Sequence, residues 1–336
     1  MNAVHAQRAR LPNDRWHFQH GPIDLVIGAE GEAGAVRAAH AAAWARFETL
    51  LAELVAELPA LRAPVGAHCP LHGPVARRMW RACRPYRAGF ITPMAAVAGS
   101  VAETLIGCFA TAGIARAWVN NGGDIALHLA PGASVAVGLV ADLARVDPAD
   151  GGPALDAAFE VHAAMPVRGI ATSGWRGRSF SFGIADSVTV LARTASMADA
   201  AATVIANAVN LDDPRIVRRA ACLLKDDSDL GDRRVTVDVP PLEPGLVDRA
   251  LQSGRRRASE LARDGLIHSA LLVCQHRFAR VEAIVCAALP SPQPSQRERE
   301  RPSPQPSPRG RGSHTGDGPL SLWERVRASE ASAQEQ

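Results

Sequence analysis

The spacing of apolar residues along the chain predicts four long helices. In Glu32–Leu58, apolar residues recur every three or four positions, and Pro59 ends the pattern. This period matches one face of an α-helix. Similar patterns predict the other three helices, over Ala95–Thr111, Met197–Val209 and Glu243–Ala262.

Shorter apolar runs predict strands. Trp16–Ile27 is typical of a hairpin that breaks at Gly21-Pro22. The other short runs lie mostly in the middle of the chain: Ala117–Val119, Ile125–Leu129, Ser134–Val140, Ala158–His162, Gly169–Thr172, Ser187–Leu191, Arg233–Val239 and a final apolar run, Ile267–Cys274. Because helices cluster early and strands cluster in the middle, the order predicts an α+β fold, with a mainly antiparallel sheet flanked by helices.

The composition changes abruptly at Pro290. Residues 290–336 contain eight prolines and eight serines, and the segment Pro290–Ser295 is repeated at Pro302–Ser307. Such a stretch buries too little apolar surface to offset the entropy of ordering. We therefore predict one folded domain over 1–289 and a disordered tail over 290–336, for which a proline-rich docking ligand is the functional alternative.

Charge and cysteine usage narrow the function classes. The chain carries 37 Lys+Arg against 34 Asp+Glu, a net charge of +3, so nucleic-acid binding is not expected as its main role. The six cysteines form no C-x-x-C pair, which fits reduced thiols. Without a signal-like segment or an apolar window long enough to span a bilayer, the sequence predicts a soluble cytoplasmic protein.

Three motifs carry candidate chemistry. The first, Asn120-Asn121-Gly122-Gly123-Asp124, is a strong hairpin-turn signal, although the same glycines let backbone approach a phosphate or sugar and Asp124 offers an acceptor. The second, Thr172-Ser173-Gly174, ends a predicted strand. It presents two hydroxyls and a backbone N–H to phosphate oxygens, or else is only a serine-rich strand end.

The third motif places Asp199 and Thr203 four residues apart, on one helix face. A carboxylate and a hydroxyl at this spacing suit Mg²⁺. The alternative is structural: Ser196 and Asp199 form a capping box, and Thr203 bonds the carbonyl one turn back. A further group, His68-Cys69-x-x-His72, has soft ligands but no evident fourth ligand, so a plain loop is favoured over a zinc site.

The order of these motifs resembles the ApbE superfamily of FAD:protein FMN transferases. GGDI at Gly122–Ile125, ATSG at Ala171–Gly174, SVTV at Ser187–Val190 and ADAAAT at Ala198–Thr203 follow one another as in that family. The segment Pro93–Gly99 is closer still to a smaller, uncharacterised cytoplasmic branch. The resemblance implies an ApbE-like (T-fold-like) domain.

The resemblance also implies roles for individual residues. Asp199 and Thr203 correspond to the Mg²⁺-holding pair, with a backbone carbonyl just before Gly99 as third ligand. The flavin nucleotide pocket would be lined by residues of three segments: Glu103; Asn120, Gly122, Gly123 and Asp124; Thr172, Ser173 and Gly174. The implied reaction moves FMN from FAD to a threonine or serine hydroxyl of a partner protein and releases AMP.

Three positions depart from the family pattern. Ala98 stands where the family has lysine, Glu103 where it has aspartate, and the H-x-x-D-P-x-T-G element is absent from Trp175–Asp186, leaving Arg178 and Asp186 as candidates by position only. Three functions therefore stay open. They are Mg²⁺-dependent flavin transfer, nucleotide or cofactor binding without transfer, and a different reaction on the same scaffold, for example on a pterin.

Overall fold

A nine-stranded sheet forms the centre of the protein, which a computed structural model describes over residues 5–139, 157–177 and 179–281. Its strand order is β1-β2-β3-β4-β5-β8-β9-β12-β13, and every neighbouring pair is antiparallel. The strands of this sheet are β1 (Gln7–Arg10), β2 (Trp16–His20), β3 (Ile23–Gly31), β4 (Ile114–Asn121), β5 (Asp124–Leu129), β8 (Gly169–Ser173), β9 (Ser187–Ala192), β12 (Ser269–Cys274) and β13 (Arg277–Val281).

Two small antiparallel sheets and six helices complete the described part. The small sheets pair β6 (Ser134–Leu139) with β7 (Ala157–His162), and β10 (Val217–Ala220) with β11 (Arg234–Asp238). The helices are α1 (Ala33–Ala56), α2 (Leu58–Leu61), α3 (Pro74–Cys83), α4 (Val97–Ile106), α5 (Ala195–Ala208) and α6 (Pro244–Arg263).

The two faces of the sheet are covered differently. On one face, α1, α3, α4, α5 and α6 pack on buried side chains such as Leu25 and Val190. On the other face, Leu127, Ile170 and Leu191 pack against β6 and β7. Successive residues of a strand point to opposite faces, and here both faces are covered. The central strands therefore need apolar residues at successive positions, which explains their continuous apolar runs in the sequence.

The α+β prediction is confirmed, and each helix and strand predicted within the described residues is present with shifted ends. Helix α4 is shorter than expected because single 3-10 turns flank it, at Pro93–Ala96 and Gly107–Phe109. The predicted strand end at Val140 and the predicted tail over 290–336 lie outside the described residues, so the division into domain and tail stays a prediction.

The sequence reasoning missed β1, α2, α3, β10 and β13. Helix α2 and the three strands are short. Helix α3 has a regular apolar face, on which Val75, Met79 and Cys83 are buried, and its arginines lie outside that face, so the helical period is present in the sequence. All four residues of β1 are exposed. Strands β1 and β13 are the two edge strands of the sheet, so each pairs with one strand only. Among the described residues, no helix is long and apolar enough to cross a membrane.

Candidate functional site

The turn between β4 and β5 positions the first candidate residue, Asp124. Both central glycines have positive φ, +63° at Gly122 and +111° at Gly123, as the hairpin prediction requires. The Asn120 Oδ1 atom accepts a hydrogen bond from the Gly123 N–H at 2.8 Å and fixes the turn. An added Cβ on Gly123 would meet open space, so this side of the turn is accessible. Asp124 follows immediately and is 9% exposed.

Asp124 links this turn to the end of β8. Its Oδ1 atom accepts a hydrogen bond from the Thr172 N–H at 3.1 Å. The Thr172 hydroxyl bonds the Thr189 hydroxyl at 2.9 Å, which differs from the expectation that both hydroxyls of this motif are free for phosphate. Within the described residues, the Ser173 hydroxyl makes no hydrogen bond and is available to a ligand. Thr172 instead contributes its backbone.

Gly174 allows the chain after β8 to pack closely on the segment before β9. A Cβ at this position would lie 2.2 Å from the Asp186 carbonyl oxygen. Because that neighbour is backbone, the clash has no easy relief, so the glycine of this motif has a packing role whatever its role toward a nucleotide.

Helices α4 and α5 meet at a contact that only glycine permits. A Cβ on Gly99 would lie 2.3 Å from the Ala195 carbonyl oxygen. This approach lets the Gly99 N–H donate to Asp199 Oδ2 at 2.8 Å. The Ala98 carbonyl, just before Gly99 and so the expected third ligand, accepts a hydrogen bond from Asn121 Nδ2 at 3.1 Å. Backbone of α4 and both candidate carboxylates are thus brought to one place.

The predicted capping box at Ser196 is wrong. Helix α5 begins at Ala195, and its N-cap is Thr194, whose hydroxyl accepts from the Met197 N–H at 3.4 Å. The Ser196 N–H and hydroxyl donate instead to Glu103 Oε2, at 3.1 and 2.6 Å. Asp199 is therefore free of the capping role that the structural alternative gave it.

Glu103 has structural partners. Besides Ser196, its carboxylate pairs with the Arg78 Nε atom at 3.1 Å. It thus joins α3, α4 and the first turn of α5, where a negative charge is favourable at a helix N-terminus. Sequence reasoning found neither Arg78 nor Ser196 as its partner, because no local pattern connects residues so far apart in the chain. Its expected role toward a nucleotide stays a prediction.

Asp199 and Asp124 repel each other. Burial raises the pKa of the Asp199 carboxyl well above its ordinary value, and the nearby Asp124 charge raises it further. Backbone N–H groups of Gly99 and Ala98 lower it without offsetting these effects. Two carboxylates in one partly desolvated place hold either a proton or a cation between them.

The donor set fits a hard divalent cation. Thr203 lies one turn after Asp199, and its hydroxyl makes no hydrogen bond within the part of the chain that the structure describes, including none to the carbonyl one turn back. Two carboxylates and a hydroxyl are oxygen ligands of the kind that Mg²⁺ takes, with phosphate oxygens and water in the other positions. Among the described residues, no three His, Cys, Asp or Glu side chains form a metal cluster.

Asp186, a candidate by position, is held by several donors. It accepts hydrogen bonds from Trp175 Nε1 at 3.3 Å and from the Gln275 N–H at 2.5 Å, and the Arg176 Nε atom lies 3.4 Å away. The carboxylate thus ties the β8–β9 connection to the turn between β12 and β13. Arg178, the other candidate, lies outside the described residues.

Comparison with protein families and curated proteins gives one family. A family model described as "AbpE bacteria" matches residues 8–283. A UPF0280 protein of Methanosphaerula palustris is 37% identical over 197 residues, which is 58% of this chain and 77% of that protein. A UPF0280 protein of Methanopyrus kandleri is 40% identical over 153 residues, 46% of this chain and 56% of that protein.

Comparison with solved structures finds the crystal structure of Pseudomonas stutzeri flavinyl transferase ApbE in its apo form. The match covers 83% of this chain and 93% of that chain, at 13% identity and a TM-score of 0.36.

Proposed function

The chain belongs to the ApbE-like family whose bacterial model it matches over residues 8–283, and from this membership we propose that it is a Mg²⁺-dependent flavin transferase. The proposed substrate is FAD, and the proposed acceptor is a serine or threonine hydroxyl of a cytoplasmic partner protein. The five described cysteines form no disulfide, which supports a reducing compartment.

One observation carries this proposal: Asp124 and Asp199 share a partly desolvated place beside the first turn of α4. The Gly99 N–H donates to Asp199 and the Thr172 N–H donates to Asp124. Burial and the nearby Asp124 charge together raise the pKa of the Asp199 carboxyl, and a divalent cation bound there would offset both effects. A purely structural aspartate does not need a second carboxylate beside it.

Asp199, Thr203 and Asp124 would hold the Mg²⁺ ion. When bound, the ion supplies charge neutralisation at the FAD pyrophosphate, which is the main requirement of phosphoryl transfer. The turn at Gly122 and Gly123 directly precedes Asp124, and Ser173 directly follows Thr172, whose N–H donates to Asp124, so we assign the turn and the Ser173 hydroxyl to the nucleotide.

In the proposed reaction, the acceptor hydroxyl oxygen bonds to the phosphorus that carries the FMN group. The bond from that phosphorus to the bridging oxygen breaks, AMP leaves with the electron pair, and the hydroxyl proton is lost. The chain's own contribution is positioning and electrostatics, because the protein has little covalent chemistry to perform in such a displacement.

The test is incubation with FAD, Mg²⁺ and candidate cytoplasmic proteins. We expect AMP release together with a protein that carries covalent flavin fluorescence, and expect both to disappear with EDTA. Cleavage of FAD to FMN and AMP with water as acceptor gives a readout that needs no partner. If neither AMP nor labelled protein forms with any divalent metal while a true acceptor is present, the proposal is wrong.

A second candidate function is nucleotide binding without transfer. It is favoured by Ala98 in place of the family lysine and by the lack of histidine and proline in Trp175–Asp186. Calorimetry separates the two functions: tight, Mg²⁺-dependent binding of FAD without AMP release supports the binding role. Absence of binding by any flavin or adenine nucleotide contradicts both.

A further inference from the structure

The chain has a long stretch without acidic residues. Between Glu57 and Glu103, residues 58–102 contain no Asp or Glu but six arginines. The rest of residues 1–289 carries 24 Lys+Arg against 28 Asp+Glu, so this segment concentrates positive charge in one part of the fold. Five of the six arginines belong to α3 and the turn that follows it: Arg77, Arg78, Arg81, Arg84 and Arg87.

Three of these arginines form a line on the surface of α3. Arg77, Arg81 and Arg84 occupy positions i, i+4 and i+7, so their side chains share one helix face. All three are exposed, while the opposite face of the helix is buried. The line is about 10 Å long, at 1.5 Å per residue. We call these three residues the arginine stripe.

The stripe has no carboxylate partner within the described residues. The neighbouring Arg78 pairs with Glu103. Within the stripe, the Arg84 guanidinium lies over the Trp80 ring, 5.7 Å from its centroid. Like charges at this spacing destabilise an isolated helix. Folding therefore does not explain the stripe, and a negatively charged ligand would relieve the repulsion.

Two other helices of the same protein each pair one arginine with a carboxylate. On α1, Arg46 binds Glu53 through two hydrogen bonds of 2.5 and 2.7 Å. On α6, the Arg257 Nη1 atom lies 2.9 Å from Glu260. An arginine-rich composition thus does not by itself leave a helix without acidic partners.

The stripe belongs to a helix that borders the candidate site. Helix α3 packs against α5, and its Arg78 joins the Glu103–Ser196 contact at the start of α5. Helix α3 also packs against α4, which carries Gly99. A segment bound along the stripe would therefore lie on the outer face of a helix whose inner face packs against two helices of the candidate site.

We propose that the arginine stripe docks an acidic segment of the acceptor protein on the outer face of α3, a helix that packs against α4 and α5 of the candidate site. This inference rests on the proposed flavin transfer, since it assigns the stripe to that reaction's protein substrate. A protein segment fits better than a nucleic acid, because three charges over about two helical turns neutralise few phosphates and the folded domain has no large basic surplus. The segment's carboxylates would pair with the stripe and leave its hydroxyl free for the transfer.

The experiment measures binding of a fluorescein-labelled peptide of alternating glutamate and serine residues to the full chain by fluorescence anisotropy, without FAD or metal. The triple variant Arg77→Gln/Arg81→Gln/Arg84→Gln keeps residues of good helix propensity. We expect its Kd to rise at least about tenfold at low salt, and expect wild-type binding to weaken steeply as salt is added. Circular dichroism checks that the variant is folded.

A matched control removes the same charge from α6. Arg249, Arg255 and Arg256 are exposed there, and their triple change to Gln is expected to alter the Kd less than about threefold. Equal losses in both triple variants, or no binding of the glutamate peptide by wild type, would overturn the proposal. So would tighter stripe-dependent binding of an oligouridine of equal length, which would indicate a nucleic-acid surface.

This outcome is separable from the test of the proposed function. If the wild-type protein cleaves FAD but does not bind the peptide, only the docking role is contradicted. FAD cleavage absent with stripe-dependent peptide binding intact contradicts only the transferase.

Discussion

Two partly buried aspartates of this protein, Asp186 and Asp199, have opposite electrostatic surroundings. Asp186, at the β8–β9 connection, has an arginine, an indole N–H and a backbone N–H around it. Asp199, on α5, has a backbone N–H and a second carboxylate, Asp124. The first arrangement satisfies its charge from within the chain. The second arrangement makes the charged form of Asp199 less favourable, because a like charge lies nearby.

The difference separates architecture from function. A buried charge is tolerated when it is paired and hydrogen-bonded, which is the condition of Asp186. Where a fold keeps two carboxylates together, each raises the pKa of the other, and a bound proton or cation offsets the repulsion. Asp186, which the sequence offered as a replacement for a missing catalytic residue, is thus accounted for by its contacts, and Asp199 is not.

The largest effect is expected from Asp199→Asn. The variant keeps an oxygen for the Gly99 N–H but removes the charge that Mg²⁺ needs. We expect FAD cleavage to fall at least about 100-fold, since loss of metal stabilisation costs several kcal/mol. The thermal shift produced by Mg²⁺ plus FAD should also vanish.

Asp186→Asn is the matched control for this change. It should lower the thermal midpoint, because hydrogen bonds to a charged group contribute about 1.5–3 kcal/mol, and yet leave the Mg²⁺-dependent shift intact. If Asp199→Asn binds Mg²⁺ and FAD as wild type does, Asp199 is merely structural and the contrast between the two aspartates fails.

The next effect concerns the close contact that brings α4 to Asp199. Gly99→Ala places a methyl group 2.3 Å from the Ala195 carbonyl oxygen, so the helices must separate. We expect a loss of about 1–3 kcal/mol in unfolding free energy and weaker Mg²⁺-dependent FAD binding, measured by chemical denaturation and calorimetry.

Gly34→Ala on α1 serves as its control. No atom lies within 4 Å of a Cβ at Gly34, so this change should stabilise the protein by about 0.4–1 kcal/mol and leave binding alone. Equal stability of Gly99→Ala and wild type would show that the α4–α5 contact is looser than described.

The smallest effect is the pH dependence of stability without metal. The folded pKa of Asp199 is raised above its unfolded value. Its protonated form therefore contributes stability that is present at low pH and is lost as pH rises through the folded pKa. In EDTA, wild type should lose stability relative to Asp199→Asn as pH increases, measured by denaturant midpoints.

Saturating Mg²⁺ should reduce this difference above the folded pKa, because the ion favours the charged form. Parallel pH profiles of the two proteins in EDTA would contradict the carboxylate repulsion.

Much of the fold was predictable because its elements carry strong local patterns. The long apolar period of α1, the proline before β3 and the turn glycines at Gly122 and Gly123 each act within a few residues. The motifs also indicated the family, since their residues stand in a fixed order. Short elements such as β1, β10 and β13 were missed because four or five residues carry too little pattern. Helix α3 was missed although its apolar residues follow the helical period.

The sequence by itself determined the fold class, most of the elements and the set of residues to examine. Only the tertiary structure decided which of them meet. It brings Asp124 near Asp199, and the Glu103 carboxylate accepts a hydrogen bond from the Ser196 hydroxyl. The Thr172 hydroxyl bonds the Thr189 hydroxyl, and Asp186 accepts from the distant Gln275 N–H. The physical reason is range. Periodicity and turn chemistry act between near neighbours in the chain, whereas repulsion, capping across helices and close backbone approach depend on packing between segments that the sequence does not place together.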